Sequence, residues 1–183
     1  MVNERYKATP KPEPRNREIA YLSLGSNVGD RERNLAQGVI ALGKKGIRIS
    51  RQSPLYLTEP VEAPPQDWFL NSVVEGETSL TPEELIHTAL DVERAFGRHR
   101  DIPRGPRTLD IDILFYGSRV IATPELDIPH PRIPFRRFVL APLAQIAPGL
   151  RHPVLQRTIA ELLAETPDHS HIELWDASKK APQ

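Results

Sequence analysis

The chain has 183 residues, with 24 Lys+Arg against 24 Asp+Glu, 19 prolines and no cysteine. That length supports one domain with a sizeable core, and the balanced charge gives no overall field for nucleic acid or an anionic membrane. The missing cysteine excludes a disulfide scaffold, a thiolate zinc site and a cysteine nucleophile; with no apolar run of spanning length and no leader expected, a cytoplasmic setting is the expectation.

Residues 1–17 are polar, carry Pro10, Pro12 and Pro14, and are expected to form a disordered tail. Residues 18–26 alternate, Ile19 and Tyr21 against Ala20, Leu22 and Leu24, and predict a first strand. A turn follows, with Asp30 as N-cap of a helix whose stripe is Leu35, Val39, Ile40 and Leu42, stopped at Gly43 or Gly46. Residues 47–57 predict a second strand, its later half demoted by Pro54 to an edge or a bulge. Residues 58–68 hold three prolines and no period, which predicts a long loop.

Residues 69–78 predict the third strand. Thr81-Pro82-Glu83-Glu84 is a capping box with proline at the first helical position. Leu85, Ile86, Ala89, Leu90 and Phe96 form that helix's apolar side, and Gly97 stops it. The loop at 98–104 is basic, through Arg98, His99, Arg100 and Arg104. In the next stretch, 107–115, Leu109, Ile111 and Ile113 alternate with Asp110 and Asp112, the pattern of a half-buried fourth strand. Gly117-Ser118 predicts a hairpin turn into a short strand at 120–121. A helix interrupted by Pro142 is expected over 136–147, burying Val139, Leu140, Leu143 and Ile146, and a short capped helix over 158–164. Residues 167–183 revert to a polar tail, leaving 18–166 as the domain. The order β-α-β-β-α-β predicts an α+β, ferredoxin-like antiparallel sheet with two helices on one face, followed by a C-terminal helical appendix. The aspartates would then face the helix-free surface.

Positions i and i+2 of a strand lie roughly 7 Å apart, so the two carboxylates can converge. At about 5 Å and an effective dielectric of about 20 they repel by roughly 3 kcal/mol. Such a pair calls for a cation, and two short oxygen ligands suit Mg²⁺ completed by substrate phosphates and water. The competing reading is a solvated outer face of a sheet. The arginines ahead of the strand, Arg98, Arg100, Arg104 and Arg107, could grip a polyphosphate and disperse charge in a phosphoryl transition state, or form a solvated loop with weak surface pairs. His130, held between Pro129 and Pro131, could bond a phosphate or be fixed by local turns. Phe69, Asn71 and Phe138 offer rings and an amide for a planar heterocycle, or are ordinary core. A P-loop and a Gly-x-Gly-x-x-Gly motif are both absent from the sequence. The residues alone thus leave open a kinase-like phosphoryl transferase, an Asp-x-Asp nucleotidyl- or glycosyltransferase, and a ferredoxin-like binding module without catalysis.

The run 105–114, Gly-Pro-Arg-Thr-Leu-Asp-Ile-Asp-Ile-Leu, closely resembles the defining motif of the 6-hydroxymethyl-7,8-dihydropterin pyrophosphokinases. Leu24-Gly25-Ser26-Asn27, Thr58-Glu59-Pro60, Phe69-Leu70-Asn71, Pro129-His130-Pro131-Arg132 and the run 138–143 match further motifs in order, over about residues 19 to 165. The resemblance implies transfer of a pyrophosphoryl group from ATP to the pterin hydroxymethyl group, leaving AMP. It implies two Mg²⁺ on Asp110 and Asp112, with Arg98 and Arg107 as the catalytic arginines. Arg100, His130 and Arg136 would contact ATP, with Leu90 and Glu93 near the nucleotide. Phe69, Asn71 and Phe138 would hold the pterin, helped by Thr58, Pro60 and Val61. The partners expected are these small molecules, with neither nucleic acid nor membrane, and a monomer is expected. The sequence departs from some members at Pro103 and Arg104, the latter where a tryptophan caps their site, and has Phe69 where Tyr also occurs.

Overall fold

A computed structural model describes residues 16–97 and 105–178. Its elements, in chain order, are β1 (Glu18–Ser26), α1 (Arg31–Lys44), β2 (Ile47–Gln52), β3 (Tyr56–Thr58), β4 (Phe69–Thr78), α2 (Pro82–Ala95), β5 (Asp110–Tyr116), β6 (Ile121–Ala122), β7 (Asp127–Ile128), a 3₁₀ turn (Ile133–Phe135), α3 (Arg137–Ile146), α4 (Ile159–Glu165) and β8 (Ile172–Leu174). The result is an α+β fold: a six-stranded antiparallel sheet, four α-helices and a separate β6-β7 pair.

Local chemistry starts the elements where the sequence predicts. Asp30 accepts the Arg33 N–H at 3.0 Å and caps α1. Thr81 and Glu84 exchange bonds in a full capping box ahead of α2, and Thr158 and Glu161 do the same for α4. Beyond α1, Gly46 takes the positive φ of 95° that turns the chain into β2.

The sheet runs β5-β1-β4-β3-β8, with β2 also paired to β4. Sequence reading made β2 and β3 one strand. The structure divides it at Pro54, which lacks the N–H needed to continue the ladder. Both parts still pair with β4.

Each face of the sheet has its own core. Leu22, Leu24, Leu70, Val74, Ile111 and Ile113 pack with Leu35 and Leu42 of α1 and Leu85, Ala89 and Val92 of α2. Tyr21, Val73 and Phe115 pack on the other face with Val139, Leu140 and Leu143 of α3 and Ile159 and Leu162 of α4. Fully burying each such side chain contributes about 1.5–3 kcal/mol. The expectation of a helix-free second face is therefore corrected: α3 and α4 cover part of it, because their apolar stripes have no other surface to bury.

Other expectations shift as well. Ile40 is 47% exposed and lies off the α1 stripe. Ile146 is only half-buried. The short strand after Gly117 pairs with β7, Ile121 opposite Ile128, and forms no hairpin with β5. The stretch after residue 167, expected to be a tail outside the domain, adds β8 to the sheet edge, Thr58 opposite Ile172. Alternation in that stretch is too short to show as a strand in sequence. Residues 1–15, the core of the expected N-terminal tail, lie outside the described residues.

Candidate active site

The register of three strands lays out the site. On β1, Ser23 and Gly25 alternate with Leu22 and Leu24, so the small residues face the side opposite α1 and α2. Gly25 stands opposite Asp110 on β5 and opposite Asn71 on β4, and Ser23 stands opposite Asp112 and Val73. With strands about 4.8 Å apart, the row Asp110, Gly25, Asn71 spans roughly 10 Å. A Cβ at Gly25 would lie 2.6 Å from Asn71 Oδ1, so only glycine leaves that amide in place. Asn71 is buried and donates from Nδ2 to Thr58 Oγ1 at 2.7 Å.

These strands floor a cavity of about 300 Å³. Asp110, Asp112, Arg107, His130 and Arg136 line it from the β5 side and α3. Thr58, Pro60, Val61, Phe69, Asn71 and Phe138 line it as well. Two expected residues do not. Leu90 is half-buried on α2, and Glu93 is 1% exposed beneath β5. There its carboxylate accepts the Ile111 N–H at 2.7 Å, a donor on the sheet's edge strand that would otherwise lack a partner. Arg98 and Arg100, with Pro103 and Arg104, lie outside the described residues.

A bulge places the histidine. The β1-β5 register slips between Tyr21 and Leu22, leaving Leu114 as the extra residue on β5. The Leu114 carbonyl accepts the His130 N–H at 3.0 Å. His130 Nδ1 accepts the Arg132 N–H at 3.1 Å, so the neutral ring carries its proton on Nε2, which lies 4.0 Å from Asp112 Oδ2. Arg136 Nη1 lies 3.3 Å from the same oxygen, and its guanidinium rests 5.5 Å from the Phe138 ring centre. Arg107 pairs with Asp110.

The electrostatics follow from crowding. Burial at the cavity floor raises the Asp112 pKa, and the neighbouring Asp110 carboxylate raises it further, against the pull of His130, Arg136 and Arg107. Burial lowers the pKa of His130, with Asp112 opposing. Burial also lowers that of Arg136, again against Asp112. Two carboxylates that each penalise the other's charge form a site suited to a cation. Among the described residues no group of three or more His, Cys, Asp or Glu is placed to hold a metal. An ion bound by these two carboxylates alone would complete its shell with substrate oxygens and water, which is the habit of Mg²⁺.

Several cavity residues escaped the sequence reading of roles. Ser23 and Gly25 carried a signal, small residues alternating with leucines on β1. Glu59 and Arg132 fall inside motifs of the resemblance without a role attached to them, and Glu62, Ala63 and Phe135 carry no signal. Glu62, at a positive φ of 50°, pairs with Arg132 and ties the loop to the segment after His130. Asn27 is 3% exposed and joins two further pieces. Its Nδ2 donates to Gln66 Oε1 at 2.9 Å and the Asp67 carbonyl at 3.0 Å, and its Oδ1 accepts the Arg107 N–H at 2.7 Å.

Two carboxylates facing guanidinium groups, with an amide and aromatic rings lining the same cavity, are suited to phosphoryl transfer onto a flat acceptor. A family model described as 7,8-dihydro-6-hydroxymethylpterin-pyrophosphokinase (HPPK) matches residues 21–148, and the chain belongs to that family. It is 40% identical over 158 residues to the 2-amino-4-hydroxy-6-hydroxymethyldihydropteridine pyrophosphokinase of Bacillus subtilis, covering 86% of this chain and 90% of that one. It is 44% identical over 155 residues to the enzyme of the same name from Methylorubrum extorquens, covering 84% and 96%. Against the folic acid synthesis protein fol1 of Pneumocystis carinii it is 40% identical over 152 residues, but spans only 20% of that longer protein. In fold, it resembles Plasmodium falciparum HPPK-DHPS, solved with pteroate, at a TM-score of 0.67 and 16% identity, over 84% of this chain and 45% of that one.

Proposed function

We propose that this chain transfers a pyrophosphoryl group from ATP to the hydroxymethyl group of 6-hydroxymethyl-7,8-dihydropterin, giving AMP and the pterin diphosphate for folate synthesis. Family membership supports the reaction. The single observation that carries its placement is the row Asp110, Gly25, Asn71, which sets a carboxylate and a heterocycle-sized amide slot on one floor. The split β-α-β-β-α-β core, read as ferredoxin-like, is what brings the three strands side by side.

Asp110 and Asp112 would hold Mg²⁺, two ions in our reading, and when bound the metal neutralises phosphate oxygens. The rest of the work falls to the chain's own groups. Arg107 and Arg136 direct guanidinium charge at the transferred group, where it disperses charge developing on the equatorial oxygens. His130 offers its Nε2 proton as a phosphate hydrogen-bond donor. Arg98 and Arg100, in the basic loop, act from outside the described residues. Asn71 reads the edge of the pterin, while Phe69 and Phe138 pack on its faces and Thr58, Pro60 and Val61 wall its side. Asp110 or Asp112 is the candidate acceptor for the hydroxyl proton, since the His130 ring has Nδ1 engaged by the Arg132 N–H and its proton on Nε2. The loop at 59–68 excludes water that would compete as acceptor. We read the working unit as a cytoplasmic monomer; no helix among the described residues is long and apolar enough to cross a membrane.

Product analysis tests the reading. Incubation with ATP, MgCl₂ and hydroxymethyl dihydropterin is expected to yield AMP and the pterin diphosphate in equal amounts. ADP, free pyrophosphate, or no nucleotide product beside an active control enzyme would refute it.

A further inference from the structure

Residues 166–175 lie beyond the family match at 21–148, and none lines the cavity, yet they hold two of its walls. One wall is the start of α3. Its preceding residue, Arg136, makes no side-chain cap. Asp168 Oδ2 instead accepts the Arg137 N–H at 2.7 Å from 31 residues away, and Thr166 Oγ1 donates to the Pro134 carbonyl at 2.9 Å. The residues on either side of Arg137, Arg136 and Phe138, both line the cavity.

The other wall is the loop that begins at Thr58. There β8 pairs with β3, and the pairing runs on past the strand. The Glu59 N–H donates to the His171 carbonyl at 3.2 Å, and the His171 N–H donates back to the Glu59 carboxylate at 2.7 Å. The far end of the loop is held too. The His171 ring lies 5.2 Å from the Trp68 ring, and Arg31 donates to the Trp68 carbonyl at 2.6 Å while lying over Trp175. Between the walls, the Ser170 N–H donates to Asp168 Oδ1 at 2.9 Å and fixes the short link. Three residues of extended chain span about 10 Å, so the link from Asp168 to His171 is short and has little slack.

We propose that residues 166–175 brace the cavity and set its width, with Asp168 and His171 as positioning residues for the transfer reaction. The proposal rests on the reading above, in which Phe138 on one wall and residues 58–61 on the other enclose the flat substrate. Misplacing such a wall by a fraction of an ångström weakens binding of a rigid planar ring more than it weakens a flexible polyphosphate chain. Neither wall has a full set of local supports: α3 lacks a local cap, and the loop carries three prolines and no ladder of its own.

Two measurements on Asp168→Ala in the full chain test the brace. Amide hydrogen exchange needs no substrate, and it is expected to quicken about fivefold, the worth of one helix cap, both at the first turn of α3 and at residues 59–63. Faster exchange at α3 alone would mark an ordinary local cap and overturn the proposal. Well below the Tm, the KM for the hydroxymethyl pterin is expected to rise about fivefold, more than the KM for ATP. Asp168→Asn, which keeps an acceptor oxygen, should restore it. A lowered Tm with unchanged KM would likewise overturn the proposal. His171→Ala keeps the backbone pairing and loses the ring on Trp68; it is expected to raise the same KM about twofold, so the brace stays testable if Asp168→Ala fails to fold. If wild-type protein forms no AMP, the substrate reading fails, while exchange at 59–63 still decides the brace.

Discussion

At the scale of single residues, the chemistry of the site divides into groups that announce themselves and groups that do not. Asp110 and Asp112 stood out because charges alternating with Leu109, Ile111 and Ile113 on a short strand must share a face. Gly25 shows in the sequence only as a small residue beside leucines; its role depends on Asn71, which reaches it through the β1-β4 register. Glu93, which the resemblance sets near the nucleotide, lies buried beneath the edge strand, where its carboxylate accepts a backbone N–H. Gly25→Ala follows directly from the geometry. The added methyl meets Asn71 Oδ1 at 2.6 Å, and that amide is itself held by Thr58, so it cannot swing away freely. Loss of about 1–3 kcal/mol in stability is expected from overpacking. The KM for the pterin should rise at least tenfold while the KM for ATP holds, as read by steady-state kinetics with each substrate varied in turn.

The elements followed from sequence wherever local chemistry decides them. The capping box of α2, the Asp30 cap, the expected cap of α4 and the alternating strands form as the sequence predicts, because a cap or a two-residue period is satisfied within a few residues. The break between β2 and β3 shows how a long-range partner completes a local signal. Pro54 ends the ladder, and Ser53 beside it repairs the gap. Its N–H donates to the Val73 carbonyl at 2.9 Å, and its Oγ accepts the Val73 N–H at 3.0 Å. Ser53 and Val73 are both buried, so no water replaces that acceptor. Ser53→Ala should therefore destabilise the fold by about 1–3 kcal/mol, the cost of an unsatisfied buried donor. Urea unfolding measures this as a lower midpoint at unchanged slope; an unshifted midpoint would show that β4 finds another partner there.

At the scale of the whole molecule, one sheet serves two cores; the first was legible, and of the second only the buried stripe of α3, not the sheet face it covers. The helices α1 and α2 are bound to the face on which Leu22, Leu24, Ile111 and Ile113 lie, so period alone assigns them. The second core depends on the Leu114 bulge, which turns both Leu114 and Phe115 to the α3 side, and no residue pattern signals a bulge. His152 sits at the margin of that core, 6% exposed, with its ring edge-on to Phe115 at 5.6 Å. Its Nδ1 accepts N–H bonds from Val154 at 3.3 Å and Leu155 at 3.2 Å, which only the neutral ring can do. Burial accordingly lowers its pKa in the folded protein. Between that lowered value and the ordinary histidine value of about 6.5, the unfolded chain binds the proton and the folded chain does not. Stability from this group is thus complete above about pH 6.5 and is lost as the pH falls below it. His130, also lowered by burial, adds a slope of the same sign, so the wild-type profile alone cannot apportion the loss. Comparison with His152→Gln can, because His130 is common to both proteins. The wild type should lose more of its urea midpoint between pH 7.5 and pH 5.5 than the variant does, even though the variant starts lower. Parallel profiles would mean that the folded and unfolded chains bind the His152 proton alike, so that burial of the ring contributes nothing to the acid loss of stability.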